Sequence, residues 1–157
     1  MTAKEIIDAL QLEPLTMEGG YFRRTYCSDR HTPNGKPMGT AIYYLLTPES
    51  YSRLHKLPTD EVYHFYMGDP VELTVLYPDG TGEKVRLGND LKGGMVPQFC
   101  VRANCWQGSC LALGGDWALV GTTMAPGFAD EDFVAGQRED LTEAYGAFRE
   151  VIVKLTP

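Results

Sequence analysis

No stretch of this sequence holds the roughly 18–20 consecutive apolar residues that span a bilayer. Its opening residues, Met1-Thr-Ala-Lys-Glu-Ile-Ile-Asp8, carry acids early and contain no apolar leader core. Basic residues are in short supply: 14 Lys and Arg stand against 21 Asp and Glu, for a net charge of −7. A nucleic-acid binder needs a basic stripe to displace counterions, and anchoring on anionic lipid needs the same, so neither partner is expected. Cys27, Cys100, Cys105 and Cys110 form no Cys-x-x-Cys pair, which argues against a zinc knuckle. Internal repeats, low-complexity runs and linker-like stretches are also missing. These absences predict a cytoplasmic chain with free thiols, and 157 residues suit one domain, 1–157, around one core.

What is plentiful is turn punctuation. Thr47-Pro48, Leu57-Pro58, Gly68-Asp-Pro70, Pro78-Asp-Gly80, Gly93-Gly94 and Gly114-Gly115 separate short runs of strand-like composition. Those runs are Thr40–Leu46, Tyr51–His55, Glu61–Met67, Val71–Tyr77, Glu83–Leu87, 98–101, 105–111 and 117–123, preceded by an aromatic strand within 18–26. Many short strands with such turns predict an all-β sandwich or barrel. A doubly wound α/β fold would need helical patterns between the strands, and there are none. Residues 28–39 are turn formers throughout and read as a loop. Helices are expected only at the ends. Thr2 and Glu5 form a capping box ahead of Ala3, Ile6, Ile7 and Leu10 on one face, with Pro14 as the stop. Leu141, Tyr145, Phe148 and Ile152 recur at helical spacing between Gln137 and Leu155.

The polar residues that could carry chemistry are few. His55, Glu61 and Gln107 offer an imidazole, a carboxylate and an amide oxygen, a set that can hold a divalent metal with positions left open. The same residues can move a proton without metal, with His55 as base and Glu61 orienting its ring. Arg23 and Arg53 are candidates for gripping an anion in two-pronged fashion. On a regular strand Arg53 faces the same way as His55. By the same alternation Glu61 shares a face with Tyr63 and Phe65, and His64 takes the other with Val62 and Tyr66. Tyr21, Tyr43, Trp106 and Phe128 could wall a pocket.

His55, Glu61 and Gly68 stand in register with the first histidine, the glutamate and the glycine of the first cupin motif. Leu57 occupies the place of its second histidine, and the run Arg102–Gln107 has the spacing of the second motif, with Gln107 in place of histidine. Longer strings narrow this further: Glu18-Gly-Gly-Tyr-Phe-Arg23, Thr40-Ala-Ile-Tyr-Tyr-Leu-Leu46, Ser52-Arg-Leu-His55, Asp60-Glu-Val-Tyr-His-Phe65, Trp106-Gln107 and Leu119-Val-Gly-Thr-Thr-Met-Ala-Pro-Gly-Phe128. Together they resemble the Cupin_5 branch of the cupin superfamily, from about Leu12 to the C-terminal helix. Relative to that branch, Met17 replaces a proline and Tyr66 a second histidine.

The resemblance implies a cupin double-stranded β-helix, a jelly-roll barrel with a short N-terminal and a C-terminal helix, usually a homodimer with a pocket for a small polar or anionic molecule. Barrels of this shape are similar to deoxythymidine-diphosphate-sugar epimerases. A sugar or sugar-nucleotide isomerase is therefore one expectation, with His55 and Glu61 catalytic and Arg23, Arg53, Tyr21, Gln107, Trp106 and His64 on the substrate. A divalent metal at His55, Glu61 and Gln107 is a variant of it. A non-catalytic ligand-binding or sensor module of the same fold is the alternative.

Overall fold

In a computed structural model that describes residues 1–157, the chain begins with helix α1, Ala3–Leu10. Thr2 and Glu5 close the expected capping box: the Thr2 hydroxyl accepts from the Glu5 amide, and the Glu5 carboxylate accepts from the Thr2 amide at 2.7 Å. The stop comes earlier than Pro14. Gln11 turns the backbone into the left-handed region (φ 54°), and Pro14 falls in a short edge strand.

Eleven strands follow: β1 Glu13–Pro14, β2 Tyr21–Cys27, β3 Thr40–Leu46, β4 Tyr51–Lys56, β5 Glu61–Gly68, β6 Val71–Leu76, β7 Gly82–Leu87, β8 Gln98–Val101, β9 Trp106–Leu111, β10 Ala118–Met124 and β11 Val134–Ala135. They form two sheets, a six-stranded one in the order β1-β2-β3-β10-β5-β8 and a five-stranded one in the order β11-β4-β9-β6-β7. All the strand pairs are antiparallel.

The all-β expectation holds, but the jelly-roll barrel does not. Neither sheet returns to its own first strand, so β1 and β8 are the edges of one sheet and β11 and β7 the edges of the other. Closure needs an unbroken hydrogen-bonded ladder around the whole circuit. The loop from β7 to β8 supplies only an isolated bridge, Leu87 to Val96. The architecture is a sandwich of two open sheets. Its shared core draws Tyr44, Leu46, Tyr63, Phe65 and Val120 from one sheet and Val71, Leu73, Val75, Leu87 and Leu111 from the other.

Each outer face has its own helical cover. Helix α1 lays Ile6 over Leu45 and Leu119 of the six-stranded sheet. On the five-stranded sheet, Leu141, Tyr145, Ile152 and Leu155 pack on Leu54, Leu76 and Cys110. The single C-terminal helix expected over 137–155 is broken into α2, Arg138–Ala144, a 3-10 turn at Gly146–Phe148, and α3, Arg149–Lys154. Glycine is a poor helix residue, and Gly146 sits at the break. The adjacent Tyr145 is pinned to the sheet by its hydroxyl, which donates to the Tyr77 carbonyl at 2.8 Å.

One irregularity bears on the site. Ser52 pairs with Ser109, but the next paired residues are His55 and Gln107, so β4 advances three residues while β9 advances two. This bulge breaks the alternation along β4. Ser52 and His55 both turn into the sandwich, while Leu54 turns out to the helices.

Candidate active site

Between the sheets lies a cavity of about 500 Å³. Leu15, Phe22, Ile42, Leu57, Met124 and Phe128 supply apolar wall, and Glu18, Tyr44, Glu61, Tyr63 and Thr122 supply polar lining. Arg23, Arg24, Glu13, Gln11 and Asp130 complete the enclosure. Glu61, on the first residue of β5, is 7% exposed, and the alternation that points Tyr63 and Phe65 inward points it inward as well.

His55 stands behind this lining rather than on it. It is 1% exposed, and its ring stacks on Phe133 at 4.9 Å between centroids. Nδ1 lies 2.8 Å from the Arg53 carbonyl. A carbonyl can only accept, so Nδ1 carries the proton and Nε2 of the neutral ring holds the lone pair. That Nε2 is 3.3 Å from Glu18 Oε1, without the alignment of a formed hydrogen bond. Burial lowers the basicity of His55, helped by the Arg53 charge; the Glu61 charge and the Arg53 carbonyl oppose the shift.

Both carboxyls are shifted the other way. Burial pushes Glu18 up to about 7, against nearby hydroxyls of Ser52 and Tyr44. Burial and then the neighbouring Glu18 push Glu61 up to about 7, against His55, Thr122 and Gln107. Near neutral pH these two acids can therefore give or take a proton, as a general acid or base must. Tyr63 and Tyr44 are driven well above the ordinary phenol range, mainly by burial, and remain protonated donors. The Tyr63 hydroxyl donates to Gln107 Oε1 at 2.6 Å.

Local geometry holds Glu18 in place. Gly19 and Gly20 follow it at φ 111° and 74°, which a side chain would strain. A Cβ on Gly20 would come within 2.7 Å of the Tyr44 hydroxyl. That hydroxyl donates to the Gly19 carbonyl at 2.7 Å, and the Arg53 amide donates to the Glu18 carbonyl at 3.0 Å. The segment after β10 closes the other side. Phe128 and Asp130 line the cavity, Phe133 covers His55, Asp132 pairs with Lys36 at 2.6 Å, and β11 adds Ala135 beside His55.

The residues singled out in the sequence therefore separate. Glu61 and Arg23 line the cavity, and His55 and Gln107 back it. Arg23 is also tied by its Nη1 to the Leu10 carbonyl at 3.0 Å. Arg53 and Tyr21 line a second cleft of about 420 Å³, which shares Leu15 and Glu18 with the first, because the β4 bulge removes Arg53 from the His55 register. Trp106 lies on the helix-covered face with Lys56 Nζ 4.8 Å from its ring. His64 faces outward, with Nε2 3.0 Å from the Thr123 hydroxyl and Nδ1 3.2 Å from the Gln98 amide. Of the other candidate walls, Phe128 lines the cavity and Tyr43 does not; the adjacent Tyr44 does.

Gln107 Oε1 already accepts the Tyr63 hydroxyl, and the second-histidine position is filled by Leu57 as apolar wall. No three His, Cys, Asp or Glu side chains are grouped so as to hold a metal ion.

Reading the sequence alone left Glu18, Tyr44 and Thr122 out of the site. The signal for Glu18 was its position immediately before Gly19-Gly20, since paired glycines there imply a close backbone approach.

Comparison with known proteins follows from this geometry. A family model described as Cupin superfamily (DUF985), Cupin_5, matches residues 4–135. The chain belongs to that family. An uncharacterized protein of Saccharomyces cerevisiae is 31% identical over 142 residues, covering 78% of this chain and 70% of that one. Among solved structures, a protein of Shewanella oneidensis is 32% identical with a TM-score of 0.93 over 100% of this chain and 98% of its own. A hypothetical protein of Leishmania major is 31% identical with a TM-score of 0.91, and 99% of each chain is covered. Oxalate decarboxylase of Bacillus subtilis shares the fold at 16% identity and a TM-score of 0.56, with 88% of this chain spanning 36% of that one. No helix here is long and apolar enough to cross a membrane.

Proposed function

We propose that the protein binds a small polar organic molecule in the cavity between its sheets and moves a proton on it, in a reaction of isomerase or epimerase type. Glu61 is the group that meets the ligand. His55 and Glu18 act behind and beside it, setting which of the three holds the proton. This reverses the roles expected from the sequence, where His55 abstracts and Glu61 orients. The observation that carries the reading is the pairing of Glu61 and Glu18 in one cavity, both pushed up to about 7, beside the His55 imidazole whose basicity burial lowers. Sugars and small carbonyl compounds are the substrate class first to be tried, since proton removal next to a carbonyl is the chemistry an acid–base pair performs unaided. No step runs through a metal.

The test is solvent exchange. Ligands that raise the melting temperature in a screen of sugars, sugar nucleotides and small carbonyl compounds are incubated with the protein in D₂O and followed by NMR. We expect deuterium to enter at the carbon beside the carbonyl, with Glu61→Gln slowing entry by about 10²-fold or more. Undiminished exchange in Glu61→Gln would sink the assignment. A second reading has its own support, in Leu57 at the second-histidine position and Gln107 held by Tyr63. Saturable binding with no exchange at any carbon selects it, and the protein is then a non-catalytic ligand-binding module.

A further inference from the structure

Two acids of the cavity, Glu18 and Glu61, form no ion pair with any Lys or Arg of the chain. Glu18 and Glu61 both line it. Three of the ion pairs, Lys4–Asp8, Lys36–Asp132 and Arg102–Asp60, leave both acids out. The fourth joins Glu18 to His55, whose ring is neutral with its proton on Nδ1. Arg23 and Arg24 also line the cavity, with Glu13 and Asp130 beside them, and neither arginine forms an ion pair with Glu18 or Glu61. Arg53 bears on His55 and lines the second cleft beside Glu18, but forms no ion pair with either acid. The remaining titratable groups facing the pair, Tyr44 and Tyr63, are neutral donors. Carboxyls largely removed from water, Glu61 at 7% exposed and the Glu18 side chain at 16%, are costly when ionised without a counter-charge, and that cost is recovered by whatever cation arrives.

The walls indicate what kind of cation fits. Phe22, Phe128, Tyr44 and Tyr63 bring aromatic surface, and Ile42, Leu57 and Met124 bring aliphatic surface, into the same cavity as the acids. Aromatic faces attract organic cations, and an apolar body is desolvated against such walls. A bare divalent ion would use neither feature, and its ligand set is not assembled.

Building on the reading of this cavity as a ligand site, we infer that its ligand is an organic ammonium ion: a protonated amine head against Glu18 and Glu61, with an apolar or planar body between the aromatic walls. The amine supplies the positive charge that the chain does not. Because the cation stabilises the carboxylates, its binding drives protons off them. Affinity therefore rises with pH as the carboxyls ionise, and binding near neutral pH releases protons to the buffer.

The experiment uses the full chain and calorimetric titration in buffers of different ionisation enthalpy, with benzylammonium, benzyl alcohol, benzoate, Mn²⁺ and Zn²⁺ as separate probes. Benzylammonium is expected to bind saturably, to release protons, and to tighten by about tenfold between about pH 6 and about pH 8. Benzyl alcohol, the neutral isostere, should bind at least about tenfold more weakly. Glu61→Gln and Glu18→Gln, each checked for an intact melting transition, should each lose about tenfold of the benzylammonium affinity and most of the proton release.

Equal binding of the alcohol or benzoate, with loss in Glu61→Gln, overturns the ammonium class and leaves the cavity a ligand site. Tight Mn²⁺ or Zn²⁺ binding that displaces benzylammonium and disappears in Glu61→Gln overturns it in favour of a metal. Silence from every probe overturns the ammonium inference alone; the reading of the cavity as an acid–base site stands or falls with the deuterium-exchange screen.

Discussion

The two faces of the five-stranded sheet are buried alike but built from different materials. Along β4 and β9, Leu54 and Cys110 turn outward onto Leu141, Ile152 and Leu155, a dry contact with no titratable acid or base among its buried members except the Cys110 thiol and the Tyr145 phenol. Ser52, His55, Gln107 and Ser109 turn inward from the same two strands and are 0–1% exposed. Apolar area removed from water stabilises at roughly 25 cal/mol per Å². Polar groups removed from water cost free energy unless they find partners. The outer contact of β4 and β9 therefore stabilises the fold, and their inward polar residues place demands on it that the apolar core between the sheets, with Leu73, Val75 and Leu111, has to carry. Depth of burial does not distinguish the two; the chemistry of the buried groups does.

The comparison is broken most forcefully from the outer side. Ile152 is fully buried between α3 and the sheet. Ile152→Ala should cost about 2–5 kcal/mol through lost transfer energy and a residual cavity. Denaturant unfolding measures that loss. Ligand affinity of the remaining folded protein should stay as it was, because the cavity lies on the opposite face. A loss of ligand affinity as large as the loss of stability would show that the faces are not independent.

The inner face makes the converse prediction, through pH. Glu18 and Glu61 carry folded-state pKa values raised to about 7 from 4.5. The folded state binds their protons more tightly than the unfolded state does. Their stabilising share is complete below about 4.5 and is lost as pH rises through about 7. His55, lowered from 6.5, acts with the opposite sign: its share is present above 6.5 and is lost as pH falls through its folded value. With two acids against one imidazole, stability should fall by about 2–3 kcal/mol between about pH 5 and about pH 8. Melting curves should show this as roughly 5–10 °C. Glu61→Gln removes one of the acids and should flatten the slope, raising stability at the alkaline end. A slope that is the same in Glu61→Gln would mean that the carboxyl is not buried in its charged form.

These two faces also mark where sequence reading succeeds and where it stops. Strands show themselves through alternation and turn residues, both local, so β3 to β10 are legible within a residue or so. β1 and β11 are two-residue pairings with too little pattern to see, and β11 is the strand that sets Ala135 beside His55. Sandwich and barrel share the same local pattern; the choice lies in which edges find partners far along the chain, and family likeness favoured closure where these edges stay open. Alternation puts Glu61 and His64 on opposite faces; the structure turns Glu61 inward and His64 outward, so the substrate contact expected of His64 is not made. The same rule separates Trp106 from Gln107, which are neighbours on one strand and cannot share a face. It failed for Arg53, where the bulge inserts a residue that nothing local announces. Glu18 escaped because it sits in a turn, where no periodicity assigns a direction, and only its contacts with distant residues reveal its role.

The adjacent pair on β9 allows the finest test. Trp106 packs on the helix side and carries Lys56 over its ring, while Gln107 faces in and receives the Tyr63 hydroxyl. Trp106→Leu keeps an apolar side chain against the helices and removes the aromatic face beneath the lysine. An exposed contact of that kind is worth roughly 0.5–1 kcal/mol, so a stability loss of about 1 kcal/mol is expected by denaturant titration. Because the side chain points away from Glu61, ligand affinity and the pH slope of stability should both match the unsubstituted protein. If Trp106→Leu shifted the pH slope, the substitution would be acting through the β9 backbone on Gln107 and hence on the carboxyl it serves. The inner face would then depend on the packing of the outer one, and the independence inferred from Ile152→Ala would have to be confined to the helices.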